Sequence, residues 1–207
     1  MFVYCLDNPV SMIDDKGTDA IWIQEVNSAE GFGHSGLMIQ DKEGAWYYFY
    51  WGPTRDAEAT ADVNKLIVGV DNGSYCIPVD TAGLDLTTVD GVTTAMERAG
   101  GNIGMRLKQP DGTDTIISIC YFEGDYTNTL QRAIKFANSS DQYQLLVQNC
   151  AQVSLACMRI SDYRFYFIDN DELNSTYPNM MFDRVKRLPR KKNGFWSNLF
   201  AMIDLLF

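Results

Sequence analysis

The chain has a single histidine, His34, among 207 residues, and its five cysteines (Cys5, Cys76, Cys120, Cys150, Cys157) include no CxxC pair. His-rich metal centres, zinc ribbons and an even disulfide framework are thereby excluded, and at least one thiol is free. The acidic stretch Asp169–Glu172 fails the calcium-loop template, since Asn174 stands where the loop needs glycine and Met180 where it needs glutamate. It reads as a solvated loop, and no metal or cofactor is expected. Basic residues are also scarce: 17 Lys+Arg against 27 Asp+Glu give a net charge of -10, which repels a phosphate backbone and argues against a nucleic-acid partner. No apolar run reaches the ~20 residues needed to cross a bilayer. The tail Phe195–Phe207 is apolar but interrupted by Asn198 and Asp204, and reads as a docked helix with no stable membrane insertion. Met1–Asp7 lacks the charged and then apolar pattern of a secretory signal peptide.

What remains is a globular composition, 46% hydrophobic with 11 Tyr, 11 Phe and 4 Trp, at a length that buries ~70% of the unfolded chain's surface. Strand composition runs over Asp19–Asn27. After the turn Gly31-Phe32-Gly33 it resumes over His34–Gln40, and after Asp41–Gly44 over the aromatic stretch Ala45–Trp51, which predicts an antiparallel hairpin. Gly52-Pro53 ends it. Thr54–Thr115 carries one clear helical signal, about Thr88–Arg98, closed by Gly100-Gly101. A further strand is expected over Asp114–Phe122, then a helix capped by Thr127 whose apolar residues Leu130, Ala133, Ile134 and Ala137 keep helical spacing. Asn138–Asp141 breaks that helix and Tyr143–Leu146 is an extended connector. Ala151–Ile160 is apolar on nearly every side, which predicts a buried, central helix with Cys150 at its start.

A cysteine at a helix N-terminus meets unpaired N–H groups and the positive end of the helix dipole, which favour thiolate. Such a nucleophile needs a group to take its proton and return it to a leaving group, and His34 is the only imidazole available. Cys76, Cys120 and Cys157 lack comparable positions. Taken singly, a buried cysteine packs and a histidine in Gly-His-Ser-Gly starts a strand; the pairing of the two contexts is what points to catalysis.

The order of GHSGLMI (Gly33–Ile39) and then YQLLVQNCAQV (Tyr143–Val153) resembles the circularly permuted papain-like enzymes, the group of NlpC-type amidohydrolases and lecithin retinol acyltransferase. The resemblance implies an α+β papain-like fold, an antiparallel sheet packed on a central helix bearing the cysteine, with Cys150 as nucleophile and His34 as base. The family places a third polar residue on the strand after the histidine. A hairpin centred near Lys42 puts Tyr50 opposite His34, with Tyr48 on the same side; the Tyr50 hydroxyl can accept the imidazole N–H, and an aromatic strand also serves as core or as a substrate platform. Asn149 and Gln144 are candidates to polarise a substrate carbonyl beside the N–H of Cys150. At the N-terminus, Tyr4, Asn8-Pro9-Val10 and Ile13–Gly17 are similar to the closing motif of the recombination-hotspot (Rhs) repeat core, with Asp14-Asp15 where that family has Asp-Pro.

Together these readings give a lead-in over residues 1–18 and a permuted papain-like domain over 19–207. The expected activity is that of a cysteine amidohydrolase or peptidase working through an acyl-enzyme on a peptide, amide or acyl substrate: a cell-wall peptide, a protein side chain or a lipid ester. The Rhs resemblance implies a bacterial effector toxin delivered within a larger polypeptide and matched by an immunity protein; without it the protein would be cytoplasmic. The alternatives are an acyltransferase or protein deamidase on the same dyad, or a non-catalytic binding module on a degenerate papain-like fold.

Overall fold

A computed structural model describes residues 18–54, 63–109, 111–146, 148–168 and 177–189. The Rhs-like motif, the Asp169–Glu172 stretch and the Phe195–Phe207 tail lie outside the described residues. Five strands, β1 (Ala20–Glu25), β2 (His34–Gln40), β3 (Trp46–Tyr50), β4 (Tyr75–Val79) and β5 (Ile117–Phe122), form one antiparallel sheet in the order β4-β3-β2-β1-β5. The described helices are α1 (Val63–Val68), α2 (Val89–Ala99), α3 (Gly101–Met105), α4 (Thr127–Ala137), α5 (Cys150–Arg159) and α6 (Pro178–Val185).

Every residue of β1 is buried, because helices cover both faces of the sheet. On one face Ala20, Trp22, Leu37, Ile39 and Phe49 pack with Ala151, Leu155 and Met158 of α5 and Phe182 of α6. On the other, Ile21, Ile23, Met38, Tyr48 and Tyr50 pack with Val92, Ala95 and Met96 of α2 and Ile103 of α3. A strand alternates its side chains between faces, so β1 and β2 read as continuous apolar runs. The α+β class and the central position of α5 agree with expectation.

The hairpin forms with a shifted centre. Asp41 accepts the N–H groups of Glu43 and Ala45 through its carboxylate, and the register pairs Gly36 with Tyr50 and Gln40 with Trp46. Tyr50 therefore stands opposite Gly36 instead of His34. The slip is by two residues, so the face is unchanged and Tyr50 stays on the His34 side.

The middle third holds what the sequence did not reveal. Helix α2 begins where expected, with the Thr88 hydroxyl accepting the Gly91 N–H at 3.1 Å, but α3 follows directly after Gly100, and both α1 and β4 are additional. Pro78 is tolerated in β4 because that strand lies at the sheet edge. Strand β5 starts at Ile117, since Asn27 takes the preceding segment by its side chain, holding the Asp114 carbonyl and the Ile116 N–H. Thr127 is the first residue of α4 and not its cap; the Asp125 carboxylate accepts its N–H at 3.0 Å.

Beyond α5 the chain is tied by a buried ion pair. Arg164 Nε donates to both carboxylate oxygens of Asp162 at 2.9 and 3.0 Å, and its Nη2 donates to the Tyr126 hydroxyl at 3.0 Å, joining the start of α4 to the end of α5. Both charges are fully buried, so removing one strands the other. Arg164→Leu is expected to destabilise the fold by about 3–5 kcal/mol, measured by urea denaturation, with the Asp162→Asn/Arg164→Leu pair losing less than the single variant.

Candidate active site

Asn149 caps α5. Its side-chain oxygen accepts the Gln152 N–H at 3.0 Å, the Gln152 side chain accepts the Asn149 N–H at 3.0 Å, and its amide donates to the Leu145 carbonyl at 2.9 Å. Trp51, just past β3, donates its indole N–H to the Gln148 carbonyl at 3.0 Å and fixes the turn before the cap. Cys150 is thus the first residue of a firmly set helix.

The N–H of Gln40 points to β1, donating to the Asp19 carbonyl at 2.9 Å. By alternation the N–H of Ser35 points the other way, toward the β3 side, where it lies beyond the strand's last residue. The Cys150 sulfur occupies that place and accepts the Ser35 N–H at 3.3 Å. The Cys150 sulfur is thereby brought against the backbone of the residue that follows His34.

His34 is buried, and its Nε2 has no hydrogen-bond partner. Its ring stacks on Tyr50 with centroids 4.7 Å apart and planes 30° apart. Tyr50 therefore contacts the imidazole, but not as expected: its hydroxyl donates to the Pro53 carbonyl at 3.3 Å, and the ring makes the contact. The turn at Gly52 permits this, since a Cβ there would run into the Tyr50 hydroxyl.

Two charges complete the surroundings, Glu25 buried and Arg106 largely so. Glu25 faces His34 across β1 and β2, and Arg106, just after α3, grips its carboxylate through Nε at 2.6 Å and Nη2 at 2.7 Å. Ser28 and Tyr48 donate to the same carboxylate. The Arg106 guanidinium lies 4.2 Å from the centre of the Tyr50 ring. Glu25 was detectable as a charge ending an apolar strand; Arg106 sits in the middle third, where no motif marks it.

Asn149 and Gln144, the candidates for polarising a carbonyl, are both engaged in local structure. The polar atoms of Asn149 are committed to capping, because a buried helix start needs its N–H groups satisfied. Gln144 is held in the turn closed by Gln148, its side chain against Gly69. The thiolate expectation is also corrected: burial pushes the Cys150 thiol up to about 12, although the Ser35 N–H and the Arg106 cation favour the anion. Burial and then the Arg106 cation hold His34 well below the ordinary imidazole range. Both groups are neutral at pH 7.

No family, curated protein or solved structure matches the chain.

The neutral imidazole sets a pH dependence of stability. Above about pH 6.5 neither folded nor unfolded chain protonates His34; below it the unfolded chain takes up a proton that the folded one refuses. Stability should fall by about 1.4 kcal/mol per pH unit from this residue, until the depressed folded value is reached. In urea denaturation between pH 7.5 and 5.5, His34→Gln should remove that increment, and as the chain's only histidine it gives an unmixed difference. Parallel wild-type and variant curves would show an ordinary imidazole.

Proposed function

We propose that the fold is papain-like and that the protein is a cysteine amidohydrolase or peptidase working through an acyl-enzyme on Cys150, with His34 as base. The observation that carries this reading is the junction at Ser35: a thiol at the first position of a capped helix accepts the N–H of the residue that follows a buried imidazole with an unpartnered Nε2. A buried polar atom without a partner is costly, and an imidazole nitrogen is the kind of group that takes the proton of a cysteine nucleophile.

The resting pair is neutral, so the chemistry is general-base attack. As Sγ bonds to the substrate carbonyl carbon, the S–H proton passes to His34 and the carbonyl electrons move to oxygen, where the Cys150 N–H can donate. Collapse breaks the C–N bond, and the imidazolium returns its proton to the departing amine. Water then attacks the thioester, giving a proton to His34, which restores it to sulfur as the acid leaves. Another acyl acceptor in place of water would make the same site a transferase, and a side-chain amide substrate would make it a deamidase.

The Rhs-like segment at residues 4–17 supports delivery as an effector toxin with an immunity partner, and peptidoglycan peptides are the substrate class most in keeping with it. The burial of Cys150 favours a second reading, a binding module that has kept the fold without the reaction.

Expression in a bacterium, directed to the cytoplasm or to the periplasm, separates these. The enzyme reading expects growth arrest that Cys150→Ser and His34→Ala each abolish while the fold persists; arrest by both variants would reject it. With a substrate in hand, kcat/KM should stay level as pH falls through 6.5, because His34 remains neutral there. An acid limb centred near 6.5 would instead require a base with an ordinary value.

A further inference from the structure

The imidazole of a Cys–His pair has to be held in one orientation, and here no hydrogen bond to Nε2 does this. The groups around His34 come from every element packed on it. Glu25 is on β1, Tyr48 and Tyr50 are on β3, Arg106 follows α3, and Cys150 of α5 lies across the Ser35 backbone. Tyr75 of β4 stacks on Tyr50 at 5.0 Å. Arg106 joins the ion pair to the ring under His34: its planar fork holds both oxygens of Glu25 while its face lies against Tyr50 at 4.2 Å.

We infer that Arg106, anchored by Glu25, is a positioning residue for His34, acting through the Tyr50 ring to fix the imidazole beside Cys150. The inference deepens the hydrolase reading and rests on it for the word positioning; the physical hold on the ring stands separately. A guanidinium on an aromatic face in a desolvated site is a strong contact, and its bidentate grip leaves little freedom to slide. Lysine would keep the charge but has neither the fork nor the plane. The Arg106 cation also opposes protonation of His34, adding to the larger effect of burial.

Because the chain has one histidine, its imidazole proton resonances can be followed by NMR without ambiguity. In the wild type they should carry the upfield displacement of a proton over an aromatic ring and titrate well below pH 6.5. Arg106→Lys should move the resonances toward those of a free imidazole. The pair Glu25→Gln/Arg106→Gln, which leaves no buried charge unpaired, should do the same and raise the titration midpoint toward about 6.5. Acetylation of Cys150 by p-nitrophenyl acetate, followed as p-nitrophenol release and as the mass of one acetyl group on that residue, should slow by about 10–100-fold in both variants. Variants that stay folded with His34 resonances and midpoint unchanged would overturn the inference. If the resonances move as expected and wild-type Cys150 takes no acetyl, the hold of Arg106 on the imidazole is supported and the hydrolase reading fails by itself.

Discussion

Glu25 is a full charge at the end of a strand whose two faces are both covered by helices, and the site is built around holding it. An unpaired buried carboxylate would cost several kcal/mol. Arg106, Ser28 and Tyr48 together satisfy it, and each is thereby fixed. Arg106 then serves as a fixed wall for Tyr50, and Tyr50 for His34. The ion pair is poor as a source of stability, since desolvation consumes much of its attraction. What it does in this fold is geometric: the paired arrangement sets the aromatic ring against which the imidazole rests.

The same burial decides the state of the Cys150 thiol. A helix N-terminus favours an anion by about 0.3–1 kcal/mol. Burial moves the Cys150 thiol from an ordinary 9.0 to about 12, which corresponds to about 4 kcal/mol against the thiolate. The dipole loses. Reasoning from the helix start alone gives the wrong protonation state because it counts the dipole and leaves out the dry surroundings that a helix buried on nearly every side must bring.

That failure indicates what a sequence shows. The hairpin, helices α2, α4 and α5 and the placement of Cys150 at a helix start were legible, because periodicity, glycine turns and cap residues are local signals. Strand β4 was not, since Pro78 argues against a strand unless its edge position is known, and edge position is a property of the whole sheet. Tyr50 does meet His34, yet through its ring instead of its hydroxyl, because moving the hairpin centre by one residue shifts the partner by two, which preserves the face and alters the pairing. Asn149 has the chemistry of an oxyanion donor and the position of a cap, and the helix claims it. Arg106 acts from far along the chain, so only tertiary structure joins it to Glu25.

Ser35 is where these constraints meet. Its side chain points to the α5 and α6 face, donating to Gln24 at 2.6 Å, and Gln24 donates in turn to Asn179 of α6 at 2.8 Å. Asn179 also holds the Val26 and Gly31 carbonyls, the loop that delivers His34. Gly33, at φ +84°, must lack a Cβ because Gln24 and Asn179 occupy that space. One residue earlier, the His34 side chain points to the opposite face, toward Tyr50 and Glu25, while the Ser35 N–H lies in the plane of the sheet and holds sulfur. Three directions from two adjacent residues therefore bring together groups from both helical layers. A one-residue slip of β2 would exchange the faces, placing the imidazole on the Gln24 side and the serine against the ion pair. The Asp41 turn that sets the hairpin register thus governs which groups meet at the far end of the strand.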